Sequence, residues 1–406
     1  MNSQTPTELQ VTRGPGGRVL TNTAVWSPDG QWIVYDTRSD AAGEKFDGSR
    51  IEMVNVRSGE VRVLYESRNG AHCGVVTFHP KQPRVVFILG PENPTPDWQY
   101  NAYHRQGVIV DTAKPGVAIN LDARDIVPPF TPGALRGGSH VHVWNPAGEQ
   151  VSFTYEDHVL AQSGLNQRNI AVSVPGRPVV VPKTHPRNHD GSHFTVLVTR
   201  TTANPKPGSD EIKKAFEEGW VGQRALAFQG HVVTEKGETV SEVFIADLPD
   251  DLTQPGCEAR IAQRRLTFTS SRKFPGIQGP RHWLRSSPDG TRIAFLMKDD
   301  AGVAQLWTVS PTGGPAMQLT HNPWPVASAF TWSPDDKHIA HVMDNSVCVA
   351  DAATGVTTRL TPRSDDAGAP RPEACVFSPD GTKIAFVRRL PSPDAPANQI
   401  CVVNLK

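Results

Sequence analysis

The chain has 406 residues, 41 Lys plus Arg against 41 Asp plus Glu, and 34 Gly with 36 Pro, about 17% of its residues against ~12% in average usage. A pI near 7.2 with no basic run excludes a nucleic-acid or anionic-membrane binder, whose affinity rests on Lys/Arg clusters. No apolar run approaches the ~20 residues of a membrane-spanning helix, and Met1 to Gln10 has no signal-peptide pattern, so the expectation is a cytoplasmic protein. Cys73, Cys257, Cys348, Cys375 and Cys401 are odd in number and lack CxxC spacing, and they read as buried free thiols.

In chain order, VWSPDGQWIVYDT from Val25, VWNPAGEQVSFTY from Val143, RSSPDGTRIAFLM from Arg285, TWSPDDKHIAHVM from Thr331 and VFSPDGTKIAFVR from Val376 share one pattern, with TFHPKQPRVVFIL from Thr77 a degenerate copy. Each predicts a strand, a tight turn and a second strand. In SPDG, Pro presets φ, Asp bonds the following backbone and Gly accepts positive φ. The turn prolines fall at 28, 80, 146, 288, 334 and 379, and the wide gap between 146 and 288 hides a further copy. Seven units, several with third and fourth strands, predict an all-β, seven-bladed β-propeller of four-stranded antiparallel blades in a single domain spanning 1–406. The last unit stops after its third strand, so Leu9 to Arg13 is expected to supply the fourth and close the ring.

Two inserts, at about 91–106 and 205–222, are expected to decorate one propeller face. The first gathers Trp98, Tyr100, Tyr103, His104 and Arg105 and reads either as a ligand-stacking surface or as packing of the insert itself. The second lies in the hidden fourth blade, placed at about His185 to Thr267. There Ser209 with Ile212, Ala215 and Phe216 has the spacing of a capped helix, either a loop decoration or a lid on the channel.

Counted back from the residue before each turn proline, His72 stands at minus seven, His140 at minus five, His142 at minus three and His282 at minus five. All offsets are odd, which in regular strands puts these side chains on one face of the innermost strands, lining the channel. His193 repeats the Gly-Ser-His of His140 and is expected to lead blade four in the same direction. Converging imidazoles can hold a divalent metal (Mn, Zn, Ni, Fe or Ca), with His72, His140, His142 and His193 as the ligand set, or can bond one another and channel water. Asn22, Ser328 and Glu373 occupy the minus-five position elsewhere, so the channel is polar all round.

The SPDG hairpins followed by IAF resemble the TolB-type, WD40-like propeller repeat. GAHCGVV, GPENP, RGGSHVHV, GSDEI, EEGWVG and PRHW resemble an uncharacterised bacterial TolB-like family, the YidR-like proteins. SHVHVWNPAGEQVSFTYED also resembles the oligogalacturonate lyase segment in which an HxH pair ligates a divalent metal. His140 and His142 match that pair, and Arg136, Gly137 and Gly138 stand where that family has its metal glutamine.

That resemblance implies a metal-dependent lyase performing β-elimination on an acidic oligosaccharide. A cation or arginine neutralises the enolate while a neutral base takes the proton. His282 is the expected base, Arg281 or Arg285 the expected cation, and Tyr100 and His104 alternatives from the insert. The rival expectation is a non-catalytic module that binds a protein partner, or a small saccharide-like ligand, on a propeller face.

Overall fold

The computed structural model describes residues 6–40, 42–165, 167–280, 283–392 and 395–405, apart from the side chain of Ala374. Seven four-stranded antiparallel sheets follow one another along the chain. Their innermost strands are Gly17–Val19, Cys73–Phe78, Gly137–Trp144, Ile212–Val221, Arg285–Ser286, Thr331–Trp332 and Pro370–Phe377. The ring closes as expected, with a strand that starts two residues earlier than Leu9 and ends at Gln10: Thr7–Gln10 pairs antiparallel with Ala397–Asn404, Thr7 opposite Asn404 and Gln10 opposite Cys401. Among the described residues, no helix is long and apolar enough to cross a membrane.

The turns form as their residues dictate. Ser27 Oγ donates to Asp29 at 2.5 Å and accepts from Trp32 N, while Gly30 takes φ 66°. The same arrangement recurs at Ser287–Asp289 and Ser378–Asp380. In blade 2, His79 replaces the serine, accepting at Nδ1 from Lys81 N and Gln82 N and donating from Nε2 to Gly148 O of the next hairpin.

The core lies between blades. Val34 and Ile51 of blade 1 pack with Val76, Phe78 and Phe87 of blade 2, and the other seams repeat this pattern. Side chains staple each seam. Trp26, Trp220 and Trp332 donate Nε1–H to Val376 O, Val143 O and Arg285 O of adjacent blades, each at 3.0 Å. All five cysteines are buried and free, as expected.

Blade 4 corrects two expectations. It starts at Ile212 rather than near His185, because the segment up to Leu197 is still the outer edge of blade 3. Ile212–Val221 is the innermost strand, not a capped helix, so most of the second insert belongs to the blade itself. Two register shifts, Ile212/Ala215 and Phe216/Gly219, explain the spacing. Each extra residue resets the side-chain alternation, and a twice-bulged strand thereby buries residues at helix-like intervals.

Candidate functional site

The second bulge of that strand recurs in three consecutive blades. Val75 and Val76 stand opposite Phe87, Val141 and His142 opposite Phe153, and Glu217 and Glu218 opposite Phe228. The first residue of each pair has positive φ: 57° at Val75, 58° at Val141 and 56° at Glu217. Such backbone is costly for β-branched residues and persists only where the surroundings hold it. In two cases the preceding blade does so: Asp36 Oδ1 accepts from Val75 N at 3.1 Å, and Thr154 Oγ1 accepts from Glu217 N at 3.3 Å.

The bulge at Val141 corrects the histidine reading. His140 lines the channel mouth at the end away from the hairpin turns. His142 is fully buried in the seam between blades 2 and 3, its ring against Phe153 and its Nε2 beside Gly107. Burial holds the His142 imidazole neutral, its pKa down to about 3. His193 adjoins the outermost strand of blade 3, Phe194–Leu197, and shares a 2.9 Å hydrogen bond with Ser192 Oγ, so it does not lead blade 4. His72 immediately precedes the innermost strand of blade 2, edge-on to Tyr100. His282 and Arg281, the expected base and cation, lie outside the described residues.

Among the described residues, no three His, Cys, Asp or Glu side chains gather as a metal ion requires. The described residues therefore do not fit the four-histidine ligand set, because the Val141 bulge turns one member of the HxH pair away and His193 sits at the rim.

The mouth is a cavity of about 240 Å³ lined by Asn22, Asp36, Arg38, Phe46, His140 and Glu373. Asp36 and Arg38, both buried, form a 2.6 Å ion pair. Arg38 lies over one side of Phe46, and Tyr100 stacks on the ring at 4.7 Å. Tyr100 accepts from Arg105 Nε at 2.8 Å, and the outer guanidinium nitrogens of Arg105 make no hydrogen bond to a described residue. His140 Nδ1 is buried without a hydrogen-bond partner among the described residues. Burial, then the positive Arg105 and Arg168, push the His140 pKa well below the usual imidazole range.

The rest of the first insert packs upon itself. Trp98 stacks on His104 at 3.7 Å, with Arg124 and Arg187 also over the indole. His104 Nε2 meets His158 Nδ1 at 3.0 Å, and burial takes His104 down to about 4. His104 thus belongs to the packing alternative.

Deeper in the channel, Arg285 faces the axis although it stands at minus two, an even offset. Nη2 donates to Asn22 Oδ1 of blade 1 and Nη1 to Leu284 O at 2.9 Å. Burial lowers its pKa to about 10. Nearby Glu218 accepts from Thr154 Oγ1 at 3.0 Å, and burial raises its carboxyl to about 7. Sequence spacing missed Glu218 and Asp36; Asp36 was signalled only as a carboxylate after the apolar run 32–35, and Glu218, beside Glu217 in a strand that also carries Lys213 and Lys214, had no signal.

Residues 72–189 match the family described as a protein of unknown function, DUF3748. The chain is 49% identical over 397 residues to the uncharacterized protein YidR of Escherichia coli strain K12, covering 93% of this chain and 94% of that protein. Among solved structures, an oligogalacturonate lyase in complex with manganese superposes with a TM-score of 0.59 at 10% identity, covering 99% of this chain and 97% of the lyase. A putative TolB from Agrobacterium tumefaciens gives 0.47 at 16% identity, covering 84% and 98%. The likeness to the lyase is one of fold.

Proposed function

We propose that this chain, which belongs to the YidR family, binds an acidic saccharide at the channel mouth and cleaves it by β-elimination, with His140 as the base. The observation that carries this reading is a neutral imidazole lining the mouth within the field of Arg105, whose outer nitrogens make no hydrogen bond to a described residue. A guanidinium suits a carboxylate bidentately. Pairing the substrate carboxylate with Arg105 also cancels one of the charges that depress His140, and so raises its basicity as the substrate arrives. The fold likeness to an oligogalacturonate lyase supports the same reaction class.

In the reaction, His140 takes the proton from the carbon bearing the carboxylate. The released electron pair forms a double bond to the neighbouring carbon, and the glycosidic oxygen leaves that carbon. Arg105 offsets the charge that builds on the carboxylate oxygens, a role a divalent ion fills in other enzymes. The Tyr100 hydroxyl, held by Arg105, gives its proton to the departing oxygen, which as an alkoxide is far more basic than a phenolate.

Incubation with oligogalacturonate and related uronic-acid oligomers, with and without added Mn²⁺, tests this through the ultraviolet absorbance of the unsaturated product. Product from the wild type and its loss in His140→Ala and Arg105→Ala are expected. No product from the wild type under either condition would refute the proposal.

A second reading, a non-catalytic protein-binding module, is favoured by one observation. Val61, Val63, Val117 and Ile119 are 40–58% exposed along the outer edges of blades 1 and 2, which Gly116 N joins to Leu64 O at 2.8 Å. An exposed apolar strip of this kind marks an interaction surface. Charged substitutions at Val63 and Ile119 would abolish partner capture and leave saccharide turnover intact.

A further inference from the structure

The hairpin end of the channel opens into a separate cup of about 460 Å³, within the range of small-molecule sites. Two residues before each turn proline stand Trp26, Phe78, Trp144, Trp332 and Phe377, and Trp220 holds the matching place in blade 4. Blade 5 alone breaks the aromatic ring, with Ser286. The gap adjoins Arg285, at the floor of the cup.

Three of the indoles are committed through Nε1 to neighbouring carbonyls, so they offer the cup carbon surface rather than donors. Arg285 forms no ion pair with a described carboxylate, and its Nε is buried without a hydrogen-bond partner among the described residues. Glu218, on the adjacent innermost strand, has Oε1 buried without a hydrogen-bond partner among the described residues; its charge acts on Arg285, but no salt bridge joins the two. An unpaired guanidinium within a protein is costly, and an anion that completes it recovers that cost. Burial raises the Glu218 carboxyl to about 7, so it can stay protonated and neutral beside such an anion.

We propose that this cup is a second binding site, for a small planar aromatic carboxylate whose ring fills the aromatic wall and whose carboxylate pairs with Arg285 through the gap at Ser286. The site is independent of the chemistry at the opposite mouth.

Four tryptophans line the cup, so intrinsic fluorescence of the full-length protein reads its occupancy. Titration with 2-naphthoate is expected to give a saturable change, with 2-naphthylmethylamine and 2-naphthylmethanol at least tenfold weaker. Arg285→Met should weaken 2-naphthoate at least tenfold. Ser286→Trp, which fills the gap and leaves the Arg285 side chain in place, should abolish the response while circular dichroism shows an intact fold. The proposal is overturned by no saturable response to 2-naphthoate, by equal or tighter binding of the amine or alcohol, or by an unchanged response in folded Ser286→Trp.

Discussion

His142→Gln gives a direct reading of where this imidazole lies. Its ring is fully buried, and its pKa is held at about 3 by that burial. In the unfolded chain the value returns to about 6.5. As pH falls below 6.5 the unfolded chain takes up the proton and the folded chain does not, so stability is lost progressively down to about pH 3. At pH 5 the gap is about 1.5 pK units, worth about 2 kcal/mol. Asp122 nearby has its carboxyl raised to about 6 by burial, so it contributes with opposite sign, adding stability as pH falls; it is present in both proteins and cancels to first order. Urea unfolding of wild type and His142→Gln at pH 7 and pH 5, followed by circular dichroism, should show the wild type losing about 2 kcal/mol more than the variant. Equal losses would mean that His142 titrates as a solvent-exposed imidazole, and the assignment to the blade seam would fail.

Three further perturbations test the framework. Gly74→Ala puts a Cβ 2.7 Å from Asp36 Oδ2 and 2.9 Å from the Phe46 ring, and overpacking of this kind should lower stability by about 1–3 kcal/mol in urea unfolding. Trp332→Phe keeps an aromatic ring but removes the bond to Arg285 O and part of the indole's packing, and a loss of at least about 1 kcal/mol in the same assay is expected. Deletion of residues 1–12 removes the Thr7–Gln10 strand and the Thr12 Oγ1 to Gln399 bond, exposing the edge at Ala397–Asn404; a lower melting temperature and concentration-dependent aggregation in light scattering are expected.

The amino-acid sequence alone determined the seven-bladed ring and its closure. The hairpin turns are local: Ser, Pro, Asp and Gly within four residues set the chain reversal, and their recurrence counts the blades. The candidate histidines were legible as residues but not as a constellation. Odd spacing assigns a common face only to a regular strand, and the bulges at Val75, Val141 and Glu217 reset that alternation. Those bulges depend on groups far away in the chain, such as Asp36 for Val75 and Thr154 for Glu217. Only the tertiary structure decided that His140 lines the mouth within the field of Arg105, that His142 is sealed in a seam, and that Arg285 reaches Asn22 across the channel. The physical reason is that closing the ring brings side chains from different blades together around one axis, and no local spacing rule records that approach.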